Sequence, residues 1–213
     1  MKKLIFLFVS LFASGSCLAQ EKVMIPDLSN VVNPEKWTVF NRKVSFDQAV
    51  YLDAAPEQGF ARMKGFTFGN GTIELDIRGK DVRGASFVGI AFHGVNDNTY
   101  DCIYFRPFNF MDPDRKGHSV QYISHPGHTW YSLRENYPEE YENPVTPVPD
   151  PEKWFHARIE INHPLVKVYV GNSDLPSLEV KQLSSQKSGW IGFWTGNGSD
   201  GYFRNLKITT EEQ

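Results

Sequence analysis

Apolar and polar residues alternate with a period of two along most of this chain, and long stretches of helical periodicity are nearly absent. Such alternation is typical of β-strands that turn one face to a core and the other face outward. The clearest alternating segments are residues 72–77, 86–93, 100–106, 119–124, 154–162, 166–170, 178–183, 189–195 and 202–209, with weaker ones at 37–40, 44–46 and 49–53. This many strands joined by turns predict an all-β fold, a jelly-roll sandwich of two antiparallel sheets.

One hairpin is predicted in detail. Residues 66–68 and 72–77 flank the pair Asn70-Gly71. Asn-Gly supplies the positive φ angles that tight hairpin turns need, so the two segments are expected to pair with each other.

The alternation also assigns faces to the strand at residues 72–77. Ile73, Leu75 and Ile77 are expected to face the core. The residues between them point outward, and we expect mutual charge contact among Glu74, Asp76 and Arg78.

The strand at residues 100–106 has apolar or aromatic residues on both faces. Ile103 and Phe105 form one row, and the other row is Tyr100, Cys102, Tyr104 and Arg106. An aromatic row that ends in arginine suits a sheet face that binds a ligand, and it equally suits burial beneath a loop.

Residues 134–153 do not resemble a strand. They contain five prolines and six acidic residues without apolar periodicity. Unstructured stretches of this length are uncommon in compact domains and are usually functional or disordered. Because prolines stiffen the chain, we expect an ordered loop that runs over one face and helps to wall a cleft.

Residues 1–19 are predicted to be a signal peptide. Lys2 and Lys3 precede the apolar run 4–12, and small residues then lead to Ala19. The run is too short to span a bilayer. We therefore expect an exported protein, periplasmic or extracellular, in which residues 20–213 form a single domain. The alternative is a lipid anchor on Cys17, which Ser14 disfavours because lipoprotein signals have a larger aliphatic residue there.

The charge balance limits the choice of partners. The chain has 22 basic and 25 acidic residues, and loss of the two leader lysines changes this to 20 and 25. This balance excludes a nucleic-acid-binding footprint. We expect a monomer without a transmembrane segment. Once Cys17 leaves with the leader, Cys102 has no partner for an internal disulfide and is expected to be a small buried hydrophobe.

Five segments carry a family resemblance: YDCIYFRPFNF (100–110), VQYISHP (120–126), PVPDPEKWFHAR (147–158), GWIGFWTG (189–196) and GYFRNL (201–206). They resemble the concanavalin A-like lectin/glucanase superfamily and, within it, the 3-keto-disaccharide hydrolase domain family, over roughly residues 37–208. The resemblance implies a curved jelly roll whose concave face often holds a saccharide. It implies either an enzyme or an accessory module, because domains of this kind occur as both.

Glu74 and Asp76 require a separate test, because a retaining glycosidase needs two carboxyl groups about 5 Å apart. Family 16 glycoside hydrolases of the same superfamily use a Glu-x-Asp-x-Glu pattern. Here the third position is Arg78, so the general acid of that pattern is missing. We expect an outward-facing polar strand rather than a catalytic pair.

The segment between His93 and Arg134 contains four of the six histidines, together with aromatic residues and three arginines. Planar hydrogen-bonding groups bind sugar hydroxyls, and aromatic rings cover their C–H faces. The candidate catalytic residues are His93, Arg106 and His125. The candidate substrate-binding residues are Tyr104, Gln121, Tyr122, Trp130, Arg134 and, from a later strand, Trp194. Each of these residue types alone is more often structural.

The resemblance also implies a chemistry. A keto group at C3 of a sugar acidifies the proton on C2, so the C1 substituent can leave after that proton is abstracted. This route needs a base of near-neutral pKa, either a histidine or a buried carboxylate, and a cation beside the enolate, either Arg106 or a metal ion. No spacing predicts a zinc site. The oxygen ligands at 96–98 or 112–114 could hold a structural calcium ion, although such Asn/Asp clusters are more often turns.

Three hypotheses follow from the sequence. The first is a hydrolase, or an enzyme that cleaves as a lyase does, acting on a glycosidic linkage of a 3-keto-type saccharide. The second is a non-catalytic carbohydrate-binding module, favoured by Trp130, Trp190 and Trp194 and by the missing acid pair. The third is a structural or adhesion domain, because fold alone does not fix function.

Overall fold

The structure is a computed structural model that describes residues 21–211, and the predicted leader lies outside this range. In chain order its strands are β1 (Glu21–Met24), β2 (Trp37–Phe40), β3 (Val44–Phe46), β4 (Val50–Leu52), β5 (Gly59–Met63), β6 (Gly71–Arg78), β7 (Val88–Asn96), β8 (Thr99–Phe105), β9 (Val120–His125), β10 (Glu142–Asn143), β11 (Phe155–Asn162), β12 (Leu165–Val170), β13 (Leu178–Lys181), β14 (Trp190–Thr195) and β15 (Gly201–Glu211). Within residues 21–211, one α-helix, α1 (Trp130–Asn136), and three short 3-10 helices (Leu28–Val32, Pro107–Asn109 and Lys116–His118) lie between strands.

The strands form two antiparallel sheets, which confirms the predicted all-β jelly-roll sandwich. One sheet has eight strands in the order β13-β12-β11-β6-β15-β4-β3. Its eighth strand, β1, pairs with residues 208–211 of β15. The other sheet has seven strands in the order β10-β9-β8-β7-β14-β5-β2.

The core lies between the two sheets, and the predicted inward row of β6 lies in it. Ile73, Leu75 and Ile77 are fully buried. The seven-stranded sheet contributes Phe193, whose ring stacks on Phe203 of the opposite sheet at 4.9 Å between centroids. Alternation therefore gave the correct core face wherever only one side of a strand was apolar.

The predicted hairpin at Asn70-Gly71 is wrong. Strand β6 pairs with β11 and β15, whereas Phe68 forms an isolated bridge with Gly189. The chain instead passes from one sheet to the other at this point. Gly71 has φ 143°, and a Cβ there would lie 2.0 Å from the Thr209 carbonyl oxygen, so glycine permits the close approach of β6 to its neighbour β15.

Strands β1, β5 and β10 and helix α1 were not predicted. Both faces of β5 are largely covered, which removes the alternation that marks a strand. Helix α1 is only seven residues long, and Leu133 is its one buried residue, so it has no apolar period to detect. The Thr129 side chain caps its N-terminus by accepting a hydrogen bond from the Ser132 backbone N–H at 3.3 Å. Between residues 21 and 211, no helix is long and apolar enough to cross a membrane.

Candidate functional site

A cleft of about 1020 Å³ opens on the outer face of the seven-stranded sheet. On β8, Phe105 faces the core, where its ring packs edge-on against Phe155 of the opposite sheet at 5.0 Å. Its neighbours Tyr104 and Arg106 therefore point to the other side and form part of the cleft floor. The walls come from the connections between strands, at residues 57–58, 83–87, 108–118, 129–134 and 196–197.

Aromatic rings form the floor. Tyr104 lies 5.2 Å from Trp194, measured between ring centroids, and the Trp194 Nε1–H donates to Tyr100 Oη at 3.1 Å. Tyr104 lies directly over Gly89 of β7, where a Cβ would lie 2.6 Å from the Tyr104 Cα. A glycine at position 89 is therefore required for the strands to carry this ring. Cys102, in the same row of β8, is fully buried beneath the cleft.

A hydrogen-bonded network connects three polar side chains of the floor. The Arg106 Nη2 donates to Tyr104 Oη and to Gln121 Oε1, and the Tyr104 hydroxyl donates to Gln121 Oε1 at 2.7 Å. Burial raises the pKa of Tyr104 to about 12 against the lowering effect of Arg106, so its hydroxyl stays protonated near neutral pH. The network therefore contains a fixed positive charge and a hydroxyl that keeps its proton.

Glu142 extends this network into a cluster of charges. The short strand β10 pairs with β9 so that Glu142 lies opposite Gln121. Its carboxylate accepts hydrogen bonds from Arg134 Nε at 2.6 Å and Nη2 at 2.7 Å, and Arg106 Nη1 lies 3.3 Å away. The Glu142 side chain is only 4% exposed. Two guanidinium groups thus share one buried carboxylate.

The pKa of Glu142 reflects this environment. Burial alone would raise it, but the hydrogen bonds and charge of Arg134, followed by the charges of Arg106 and His118, outweigh burial and hold the pKa below its usual value. Glu142 therefore remains a carboxylate at neutral pH, and the cluster carries more positive than negative charge.

Two imidazoles line the cleft. His118 Nδ1 lies 2.8 Å from Glu142 Oε1, but the two atoms are not aligned as a hydrogen bond. His125, the last residue of β9, packs its ring against Tyr100 at 5.1 Å between centroids. Burial lowers the pKa of His125, so its ring is neutral at pH 7 and able to accept a proton.

Trp130 forms an aromatic plate at the edge of the cleft. It is the first residue of α1, its side chain is 49% exposed, and the Arg134 guanidinium lies 5.3 Å from the ring centroid. An exposed tryptophan beside polar groups is the arrangement that stacks on the C–H face of a sugar.

The structure brings most of the predicted site residues together. Tyr104, Arg106, His125, Trp130, Arg134 and Trp194 line the cleft. Gln121 is buried directly beneath them, where it is bonded to Tyr104 and Arg106. The predicted loop at 134–153 contributes Glu142 to the cluster on this face, as two residues of strand rather than as loop alone.

His93 and Tyr122 do not line the cleft, so we remove both from the candidate set. A bulge in β7 between Phe92 and Asn96 turns His93 inward, where it is fully buried and its ring nitrogens contact the Gly69 carbonyl and Gln182 at 3.0 Å each. Tyr122 lies opposite Ile103 in the sheet and therefore shares its core face.

Several residues of the site were not predicted from the sequence. Glu142 is the most important, and its pairing with β9 involves only two residues, too few for any pattern. His118 belonged to the histidine-rich segment but was not chosen. Phe87, Arg83 and Arg115 lie in connections that carry no motif.

Glu74 and Asp76 lie on the outer face of the other sheet. Glu74 pairs with Lys207 at 2.7 Å, and Asp76 contacts His156 at 3.0 Å and Arg204 at 3.3 Å. The expected contact with Arg78 is wrong, because that guanidinium packs against aromatic rings instead.

The two segments considered for calcium form turns. Asn96 Oδ1 accepts the Asn98 backbone N–H, and Asp112 Oδ1 accepts that of Asp114, each at 2.9 Å. Asp97 lies 3.6 Å from Arg62. The carboxylate and amide oxygens therefore serve local turn geometry in this structure.

Comparison with known proteins places the chain among carbohydrate-related domains. The model of the family described as 3-keto-alpha-glucoside-1,2-lyase-like domain matches residues 27–209. No curated protein sequence matches the chain.

Solved structures show the same fold at low sequence identity. The carbohydrate binding module CBM66 from Bacillus subtilis is 16% identical, with a TM-score of 0.59 over 83% of this chain and 96% of that one. A Bacillus subtilis protein of unknown function with a galectin-like fold is 14% identical, with a TM-score of 0.60 over 87% and 94%. The VIP36 exoplasmic/lumenal domain, bound to Ca²⁺ and Man3GlcNAc, is 12% identical, with a TM-score of 0.55 over 83% and 84%.

Proposed function

This chain belongs to the 3-keto-alpha-glucoside-1,2-lyase-like domain family, and we propose that its cleft binds a saccharide with a keto group at C3 and cleaves the glycosidic bond at C1. One observation carries the proposal. A single cleft brings together a neutral imidazole, His125, and a buried cationic cluster centred on Arg106.

The proposed reaction is an elimination. The imidazole of His125 takes the proton from C2, and the electrons of that bond pass into the C3 carbonyl to give an enolate. When the enolate collapses, the C3 carbonyl re-forms, a C1=C2 double bond appears and the C1–O bond breaks. The departing oxygen then takes a proton. A later addition of water across C1=C2 would make the overall result a hydrolysis.

The cationic cluster supports this chemistry electrostatically. Arg106 and Arg134 share one carboxylate, that of Glu142, which leaves net positive charge beside the floor. Tyr104 adds a hydroxyl that keeps its proton. Positive charge and donors that are already fixed in a buried site stabilise a developing oxyanion more than mobile groups in water do.

The test is incubation of the protein with matched glycosides that do or do not carry a 3-keto group, with products followed by NMR. We expect turnover of the keto substrate alone. His125→Gln should lower kcat by about 10²–10⁴-fold, the usual contribution of a general base. His156→Gln is the matched control, because His156 lies on the opposite sheet face and should leave kcat unchanged. His118→Gln tests the second imidazole of the cleft in the same assay.

A second candidate function is a non-catalytic carbohydrate-binding module, and the exposure of Trp130 favours it. In that case calorimetry would detect saccharide binding that depends on Trp130, while no keto glycoside would be turned over. If the wild-type protein neither binds nor cleaves any saccharide tested, both proposals fail and a structural or adhesion role gains support.

A further inference from the structure

A second groove of about 490 Å³ lies on the outer face of the eight-stranded sheet, on the opposite side of the molecule from the cleft. Its volume falls within the range of roughly 300–1000 Å³ that ligand sites occupy. It crosses one end of four adjacent strands, β11, β6, β15 and β4. The lining residues are Ser45, Asp47, Gln48, Ala49, Tyr51, Arg78, Trp154, Tyr202 and Arg204.

The Arg78 guanidinium lies over two aromatic rings in this groove. Its Cζ lies 4.3 Å from the Tyr202 ring centroid and 5.0 Å from that of Trp154. Tyr202 stands directly opposite Arg78 in the sheet, and Trp154 immediately precedes β11. These two contacts restrict the position of the guanidinium without using any of its N–H donors, and Trp154 also carries the Arg204 guanidinium at 4.2 Å.

The charge of Arg78 has no protein counterpart. Among residues 21–211, its guanidinium forms neither a hydrogen bond nor an ion pair. The nearest carboxylate on its own strand, Asp76, is already engaged by His156, Arg204 and Asn205. Among the described residues that line the groove, Asp47 is the one with a carboxylate. It lies on an exposed turn and forms no ion pair with Arg78.

The other acidic group close to this surface is also satisfied. Asp200 accepts from Lys80 Nζ at 2.5 Å and from the Tyr51 hydroxyl at 3.0 Å. Arg78 thus combines a restricted position with five unused N–H donors, and a guanidinium with free donors can bind a carboxylate in a bidentate manner.

We propose that this groove binds an acidic saccharide, with the carboxylate of a uronic acid on Arg78. The ring of Tyr51 lines the groove and supplies an apolar side for a sugar, and Gln48 and Ser45 at the rim supply groups for its hydroxyls. The site is separate from the cleft and would hold the protein on an acidic polysaccharide whether or not the cleft binds or cleaves a saccharide. It does not depend on the proposed lyase activity.

The test is a calorimetric titration of the protein with trigalacturonate, with neutral maltotriose and with inorganic phosphate at one ionic strength. We expect trigalacturonate to bind and the other two to bind at least ten-fold more weakly. Arg78→Gln should weaken trigalacturonate binding by about ten- to a hundred-fold, because a hydrogen-bonded charge pair is lost. Arg78→Lys keeps the positive charge but lacks the paired N–H donors of a guanidinium, so it should lose part of the affinity for trigalacturonate.

Arg158→Gln is the matched control. Arg158 lies on the same sheet face and packs over an aromatic ring, Tyr169, at 3.8 Å, but its charge is paired with Glu160. This variant and Trp130→Ala should bind trigalacturonate as the wild type does. Thermal unfolding of each variant checks that it is folded.

Three results would overturn the proposal. They are the absence of trigalacturonate binding, loss of binding in Trp130→Ala but not in Arg78→Gln, and binding of phosphate as tight as that of trigalacturonate. The first two would show that the groove does not bind an acidic saccharide. The third would show that it binds anions in general, without selectivity for a saccharide. None of them bears on turnover in the cleft, so failure here is distinct from failure of the proposed function.

Discussion

The two outer faces of the sandwich both carry ion pairs, but they place these pairs in different environments. On the seven-stranded sheet, Arg106 and Glu142 have side chains only 5% and 4% exposed. On the eight-stranded sheet, Lys207 and Glu74 are 44% and 24% exposed at a similar separation. Loops cover the first pair and leave the second open to water. Burial beneath loops, rather than the number of charged groups, distinguishes a candidate reaction site from an ordinary polar surface.

The largest difference between the faces should appear when one partner of each pair is removed. Arg106→Met leaves Glu142 with a buried charge that has lost one partner, and we expect the free energy of unfolding to fall by about 3–5 kcal/mol. Lys207→Met should lower it by less than about 1 kcal/mol, because water screens the exposed pair. Urea denaturation of both variants measures the two values. Equal losses would mean that burial does not separate the faces.

A second, smaller effect should depend on pH. The pKa of Glu142 is held below its ordinary value of 4.5, so its contribution to stability is present above that pH and is lost as pH falls through the lower pKa of the folded state. Glu142→Gln should therefore cost about 1.5–3 kcal/mol at pH 7 and much less in strong acid. Unfolding curves between pH 2 and 7 give the difference. A cost that is the same at every pH would contradict the ionic role assigned to Glu142.

The smallest expected effect concerns saccharide binding at the rim. Trp130→Ala should weaken binding in the cleft by about ten-fold, which is the contribution of one aromatic plate of roughly 1–1.5 kcal/mol. Tyr131→Ala is the control, because this neighbour is also exposed on α1 but does not line the cleft. Equal effects of the two variants would show that the ligand does not stack on Trp130.

The same contrast explains which features could be predicted from the sequence. On β6, one face is apolar and the other polar, so alternation located both the strand and its core row. On β8, both faces are covered, and the aromatic row ending in Arg106 suggested a ligand-facing surface. The predictions for the site failed where local geometry intervenes. The bulge in β7 turned His93 inward, and a pairing of two residues brought Glu142 to the site from a segment without a pattern.

Spacing along the sequence also does not predict which distant segments come into contact. Glu142 meets Arg106 across 36 positions of the chain, and Arg42 hydrogen-bonds to Thr195 across 153. Only the order of strands in the sheet brings such residues together. The types of residue in the cleft could be inferred from the histidine-rich segment, but their partners required the fold.

The buried thiol of Cys102 has a practical consequence. Burial raises the pKa of this thiol well above its usual value, and the thiolate is the form that reacts with alkylating reagents. Cys102 lies beneath the cleft floor, in register with Ala91 and Ile123 of the neighbouring strands. Its side chain belongs to the same row as Tyr104, so a reagent can modify it only when the side chains that cover it move aside. The rate of alkylation thus reports how often the floor of the cleft opens, without any added label.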